Sequence, residues 1–315
     1  MTNAPEKSFT AISTTQAPQT IHYVVNPASQ NGATGRRWPK LAALLPKAAQ
    51  VHLTRSPGEA IDLAEQAAMN GADMVVAVGG DGTLGEVATG LMRATNKPAM
   101  GIVPCGTGGD FRKTLGYPTD PRAVASVLAR GHSRIIDVGR VRFTGHNGRE
   151  QERCFLNICS FGISGVVDRA VNASSKALGG KMSFLLGSLR GYTQFSGADV
   201  ELALDDGPIE KHNSFLVAAC NGRMFGGGMR IAPTADPSDG LFDIVVWDHA
   251  GELGKLHTWK IYTGDHLALP NVHYRSAKKL TATAVSEVLI DCDGEQLGRL
   301  PVTIEIVPQA LKVVC

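Results

Sequence analysis

Three short apolar runs in the first 110 residues end in glycine-rich turns. "IHYVV" (21–25) leads into "NPASQNGATG", "MVVAV" (74–78) into "GGDGT", and "AMGIVP" (99–104) into "CGTGGD". "VHLT" (51–54) reads as a further strand, and helix-like spacing covers 37–49, 58–70 and 83–94. Alternating strand and helix predicts a parallel sheet with helices on both faces. Its crossovers are expected to be right-handed. Ligands of such sheets gather beyond the carboxyl ends of the strands, and the glycine-rich turns lie there.

Glycine permits positive φ and lets a ligand reach backbone N–H groups. Successive N–H groups in such a turn, with a helix N-terminus behind them, make an anion-binding concavity. Asp81 repels a phosphate and makes sense there if a divalent cation, or its water, lies between. Thr83 can cap the next helix or donate to phosphate, and Glu86 stands at capping-box spacing from it. One such turn is equally well a tight strand-to-helix connection with Asp81 as a local cap. Three turns on one sheet edge describe a nucleotide phosphate cradle. The chain contains neither the GxxxxGK[ST] loop nor the dinucleotide fingerprint.

Beyond about residue 135 the pattern changes to strand-like segments, among them "CFLNICSFG", "VELALDD", "SFLVAACN", "VLIDCDGE" and "VTIEIVP". Val200, Leu202 and Leu204 alternate with Glu201 and Asp205, and "DDGP" (205–208) is a hairpin turn. The expected fold is an α/β nucleotide-binding domain followed by an antiparallel β-sandwich. The expected limits are a polar disordered leader over 1–20, the α/β domain over 21–138 and the β-rich domain over 139–304. Residues 305–315 are expected to return to the first domain.

A net charge of +2 is too small to argue for nucleic acid. The six cysteines show no CxxC spacing, so the sequence points to a reducing, cytoplasmic setting and to no zinc. No apolar run approaches the roughly 20 residues that span a bilayer.

"NPAS…GGDGTLGEV…PCGTGGDF" resembles the diacylglycerol kinase catalytic-domain family, especially its soluble bacterial lipid kinases. The resemblance continues through "NGRMFGGGMRIAPTADPSDGLFDIVV" (221–246), "GDHLALPNV" (264–272) and "DCDGEQLGRLP" (291–301). It implies an ATP- and magnesium-dependent kinase of a lipid hydroxyl, diacylglycerol or a similar alcohol, touching the membrane surface peripherally. A homodimer is among the expected assemblies. A ceramide or sphingoid-base kinase, an NAD kinase and a low-turnover nucleotide- or lipid-binding protein are the alternatives.

Carried over by position, nucleotide contacts fall on Asn26, Pro27, Ala28, Ser29, Gln30 and Thr54. They continue on Gly79, Gly80, Asp81, Gly82, Thr83, Leu84, Gly85 and Glu86, and then on Gly106, Thr107 and Asp110. A magnesium site maps to the Asp239 side chain and the backbone oxygens of Asp236 and Leu241, an oxygen-only set suited to a hard cation. The family's proton acceptor falls on Glu295, with Asp293 beside it to position metal or hydroxyl. Read without the family, "DGE" is a plain hairpin turn. Two departures stand out. Gln30 occupies a position that often holds glycine, and the usual "GTxND" reads "GTGGD", with Gly109 in place of Asn.

The segment 173–192 places Met182, Leu185, Leu186 and Leu189 on one helical face. It is expected to face the core, with a membrane surface or acyl-chain cleft as the other reading. His266 is either structural or part of the family pattern.

Overall fold

The computed structural model describes residues 18–106, 108–164, 195–251 and 257–315. The leader up to residue 17, Thr107, the segment 173–192 and residues 252–256 lie outside the described residues.

Strand β1 (Ile21–Val25) pairs in parallel with β2 (Gln50–Leu53) and β3 (Met74–Gly79), and β3 pairs with β4 (Ala99–Pro104). β1 and β3 are buried along their whole length, which explains the uninterrupted apolar run of β3 and the single polar residue, His22, in β1. Helices α1 (Ala33–Ala42), α2 (Glu59–Met69), α3 (Asp81–Arg93), α4 (Asp110–Thr114) and α5 (Pro121–Arg130) follow the strands.

The expected first helix, 37–49, is displaced. It starts directly after Gly32, a left-handed N-cap at φ 81°. It stops at Ala42 because Pro46 biases Leu45 toward extended backbone, and the Tyr23 hydroxyl anchors the Pro46 carbonyl at 2.8 Å. α2 and α3 touch closely at Gly90, where an added Cβ would lie 2.9 Å from Ala64 Cβ.

Strand β5 (Ser133–Gly145) leads into an antiparallel region. It comprises β6 (Glu150–Phe155), β7 (Ile158–Gly162), β8 (Ala198–Leu204), β9 (Glu210–Cys220) and β10 (Phe242–Asp248). β11 (Val272–Ala277), β12 (Lys279–Ala284), β13 (Leu289–Cys292) and β14 (Glu295–Val314) complete it. The pairings β14–β12–β8–β9–β7–β13–β14 close on themselves, so the sandwich layers are joined by shared strands. Closure leaves these six strands without a free edge. In β8, Val200 and Leu202 are buried while Asp199 and Glu201 face out. Asp205 turns the β8–β9 hairpin at φ 52°, with its carboxylate accepting from the Lys278 and Lys279 amides.

β14 is 20 residues long. Its first part pairs with β13 and β12, its length follows β5, and Val313 pairs in parallel with Met100 of β4. Leu311, Val313 and Val314 join the core of the parallel sheet, while Leu300, Val302 and Ile304 join the core of the β-rich region.

Candidate active site

The three glycine-rich turns are knitted together at the carboxyl ends of β1, β3 and β4. A Cβ on Gly106 would lie 2.5 Å from Gly80 Cα, so the two turns touch backbone to backbone. Asn26 donates from Nδ2 to Thr83 Oγ1 at 3.0 Å and accepts from the Ala28 amide at 3.0 Å. Gln30 donates from Nε2 to the Gly106 carbonyl at 2.9 Å. Gln30 and Asn31 are both left-handed at φ 53°, ahead of Gly32. Pro27 and Ser29 serve this turn through their carbonyls, which accept from Gly35 and Thr34. Thr54 is buried beside it, its amide donating to Val25 at 2.9 Å.

Two parts of the sequence reading need correction. α3 begins at Asp81 after Gly80, so Thr83 lies inside the first turn rather than at the cap. Glu86 therefore forms no capping box with it. Its carboxylate instead accepts from the Gly58 and Ala60 amides at 2.9 and 3.2 Å and caps α2. The Leu84 side chain points into the core and does not line the cradle.

Asp81 Oδ2 accepts from the Asp110 amide at 3.2 Å, while Oδ1 is buried with no hydrogen-bond partner. Burial pushes the Asp81 carboxyl up, the Asp110 amide opposes that, and the Asp110 charge adds to it. Asp110 is itself buried. It pairs with Lys113 Nζ at 2.6 Å and accepts from the Gly227 amide at 2.6 Å, clasping the glycine-rich loop of the second half. Gly109 sits at φ 58°, ψ 43°, the left-handed region that glycine and asparagine enter most readily. Lys113 is a cation at the cradle that the sequence reading missed, although its place three residues after Asp110 was a signal.

The opposite wall comes from the β13–β14 hairpin. Asp293 (φ 52°) and Gly294 (φ 85°) are both left-handed, as a two-residue hairpin turn requires. Asp293 Oδ2 accepts from the Leu156 amide at 3.0 Å, and Oδ1 accepts from the Asn157 and Ile158 amides at 3.1 and 3.0 Å. Burial pushes its carboxyl up to about 7, with the Asp81 charge acting the same way, and the three amides pull against both. Both oxygens are thus engaged by backbone donors that anchor the hairpin.

Glu295, the first residue of β14, lies directly against α3. A Cβ on Gly82 would run into its carboxylate, and a Cβ on Gly85 would lie 3.2 Å from Asp293 Oδ2. Burial pushes Glu295 up to about 6, Glu86 adds to this, and Arg153 opposes it. Glu295 and Arg153 line a small cleft with Gly82, Gly85 and Glu86. "DGE" is therefore both a hairpin turn and a pair of carboxylates delivered to the cradle.

Two family models cover almost all of the chain. The diacylglycerol kinase catalytic domain matches residues 20–141, and the YegS C-terminal NAD kinase beta sandwich-like domain matches residues 157–315. The chain belongs to the diacylglycerol kinase family. It is a lipid kinase, a phosphotransferase.

Diacylglycerol kinase from Staphylococcus saprophyticus is 28% identical over 283 residues, covering 88% of this chain and 89% of that one. The Staphylococcus epidermidis enzyme is also 28% identical, over 88% and 86%. A candidate diacylglycerol kinase from Bacillus anthracis str. Sterne superposes with a TM-score of 0.75 at 25% identity, covering 97% of this chain and 98% of that one. Yeast NADH kinase shares the fold at a TM-score of 0.51 and 12% identity, over 95% and 83%.

In this lipid kinase the "ADPSDGL" turn is closed by its own side chains. Asp236 Oδ1 accepts from the Ser238 amide and hydroxyl at 3.1 and 2.7 Å, and Asp239 Oδ1 accepts from the Leu241 amide at 3.1 Å. Asp137, fully buried, joins this turn to β14 by accepting from the Gly240 and Gln309 amides, both at 2.7 Å. The oxygens of Asp239, Asp236 and Leu241 are the hard donors that magnesium takes, and the orphaned Asp81 oxygen suits a cation or its water at the cradle. His266 is buried and stacked on Trp247, with Nε2 3.1 Å from the Ile231 carbonyl. Those contacts hold the ring in place, while Nδ1 is buried with no hydrogen-bond partner among the described residues.

Proposed function

We propose that this lipid kinase transfers the γ-phosphoryl group of ATP to the hydroxyl of diacylglycerol or a similar lipid alcohol, with Glu295 as proton acceptor. The observation that carries this reading is the contact of the Glu295 carboxylate with Gly82, in the turn that opens α3. A group that accepts a hydroxyl proton must face the phosphate site, and Glu295 does. Its raised pKa, about 6, leaves it ionised at neutral pH yet more basic than an ordinary carboxylate.

The backbone N–H groups of the turns around Gly80, Gly82 and Gly106 bind the polyphosphate. Lys113, held by Asp110, supplies a point charge beside it. Asp293 fixes the hairpin, and so sets the reach of Glu295. When bound, ATP with a divalent cation such as magnesium supplies the phosphoryl group and neutralises charge on its oxygens. Asp81 is the side chain placed to hold that cation, and the Asp239 turn is a second, structural cation position. The hydroxyl oxygen gains the phosphoryl group as its proton passes to Glu295, leaving a lipid phosphate and ADP.

A lipid acceptor calls for contact with a membrane surface. Among the described residues no helix is long and apolar enough to cross one. Trp259 and Tyr262 are exposed around Lys260, the combination favoured at a lipid–water interface.

Labelled ATP with mixed micelles of diacylglycerol, ceramide or sphingoid base, and with NAD in a parallel tube, tests the reading. Label in an organic-phase product from diacylglycerol is the expected result. Label only in NADP, or no transfer despite nucleotide binding, overturns it.

A further inference from the structure

At the start of β9, three strands bring two histidines and two carboxylates together. His212 is on β9, Asp248 ends β10 and His273 is on the edge strand β11. His212 Nδ1 lies 3.1 Å from both Asp248 oxygens, and His273 Nε2 lies 3.2 Å from Asp248 Oδ2. His212 Nε2 faces Glu210 Oε2 at 3.4 Å. Arg275 grips Glu210 with two bonds of 2.7 and 2.6 Å. The Ser214 hydroxyl donates to Asp248 Oδ1 at 3.3 Å.

A neutral imidazole has one N–H and one lone pair. Both nitrogens of His212 face carboxylate oxygens, which only accept when ionised. If Nε2 keeps its proton for Glu210, the Nδ1 lone pair points at Asp248, and a positive centre belongs between them. His273 brings a third donor to the same point, and all three ligand atoms lie within 4.8 Å of one another. Zinc binds such nitrogen and oxygen donors tetrahedrally at about 2.0–2.1 Å, which holds them roughly 3.3–3.4 Å apart. The observed 3.1 and 3.2 Å are close to that spacing.

We propose that His212, Asp248 and His273 bind a divalent transition-metal ion of the zinc class, with Glu210 fixing the His212 tautomer. The ion pins edge strand β11 to β10 and β9, and the fourth coordination position is left to water. Cysteine spacing carries no trace of such a site, because its ligands come from three strands and none is a thiol. Eight residue steps along β9 lead from His212 to Cys220, which pairs with Ile158 beside Asp293, about 26 Å of extended chain. The site is thus remote from phosphoryl transfer.

The test is calorimetric titration of the chelator-treated full-length protein with Zn²⁺ alone, on the parent, His273→Ala and Glu210→Gln. His273 is half-exposed, so its loss leaves the core intact. A partly exposed thiol such as Cys154 or Cys315 can also take zinc, so the quantity read is the difference between proteins. The parent is expected to bind one equivalent that His273→Ala lacks, and Glu210→Gln to hold it about 10–100-fold more weakly. Cobalt(II) in the parent should give the intense visible bands of four-coordination, absent in His273→Ala. Equal zinc uptake by parent and His273→Ala, or none by the parent, overturns the proposal and leaves His212 simply hydrogen-bonded between two carboxylates.

Discussion

Glu295 and Gly82 meet because one lacks a side chain where the other ends. Replacing Gly82 with alanine pushes a flexible carboxylate aside rather than a backbone. Gly82→Ala is therefore expected to lower kcat by roughly 10²-fold, the order of cost of a displacement near 1 Å, with little change in Tm. Steady-state kinetics and a melting curve on the same sample check both halves. Glu295→Gln is expected to lower kcat about 10²–10⁴-fold and to leave ATP affinity almost unchanged by equilibrium binding.

The pKa of Glu295 adds a pH dependence. In the proposed role the ionised form is the base, so kcat/KM should fall as pH drops through about 6. Its effect on folding has the opposite sense. A carboxyl raised from 4.5 to about 6 binds its proton more tightly in the folded state. That contribution is full below 4.5 and is lost as pH rises through 6, about 2 kcal/mol in all. Glu295→Gln removes this burden, so the inactive variant should melt higher than the parent at neutral pH and no higher near pH 4.

The helices and hairpins decide what those side chains can do. Glu86 caps α2 and also adds to the upward shift of Glu295. Glu86→Gln should move the acid limb of the pH–rate profile to lower pH. It should also cost about 1 kcal/mol of stability, since an amide caps less well than a carboxylate. An unshifted profile would detach Glu86 from the base.

Element by element, β3 and β4 were legible in the sequence because each is an apolar run that leads into a glycine-rich turn, whereas the half-polar β2 was marked only by its place between two helical patterns. The hairpin at Asp205 was legible from its turn residues. The end of α1 was not, because the stop comes from Pro46 acting with a Tyr23 hydroxyl 23 residues away. The positions of Asn26, Asp81 and Glu295 could be anticipated from their motifs. The partners of Glu86 and Asp293 could not, because their amide donors come from segments 26 or more residues distant. The length of β14 was hidden too, since Pro301 and Pro308 interrupt its alternation and the register shifts near both.

Across the whole molecule, β5 and β14 run as a paired ribbon from one core to the other. Asp110 clasps Gly227, and Asp137 fastens the turn at Gly240 to Gln309. The two cores should therefore melt in one calorimetric transition, and two separated transitions would show that the ribbon does not couple them. Asp137→Ala leaves the part-buried Gly240 and Gln309 amides without their acceptor and should cost about 1–3 kcal/mol, read from denaturant unfolding.

A carboxylate mounted on the first residue of the 20-residue strand β14 has nowhere to wander. A different alcohol could be met by resculpting the neighbouring surface. Relocating the carboxylate itself would mean re-registering 20 residues against β4, β5, β12 and β13 at once.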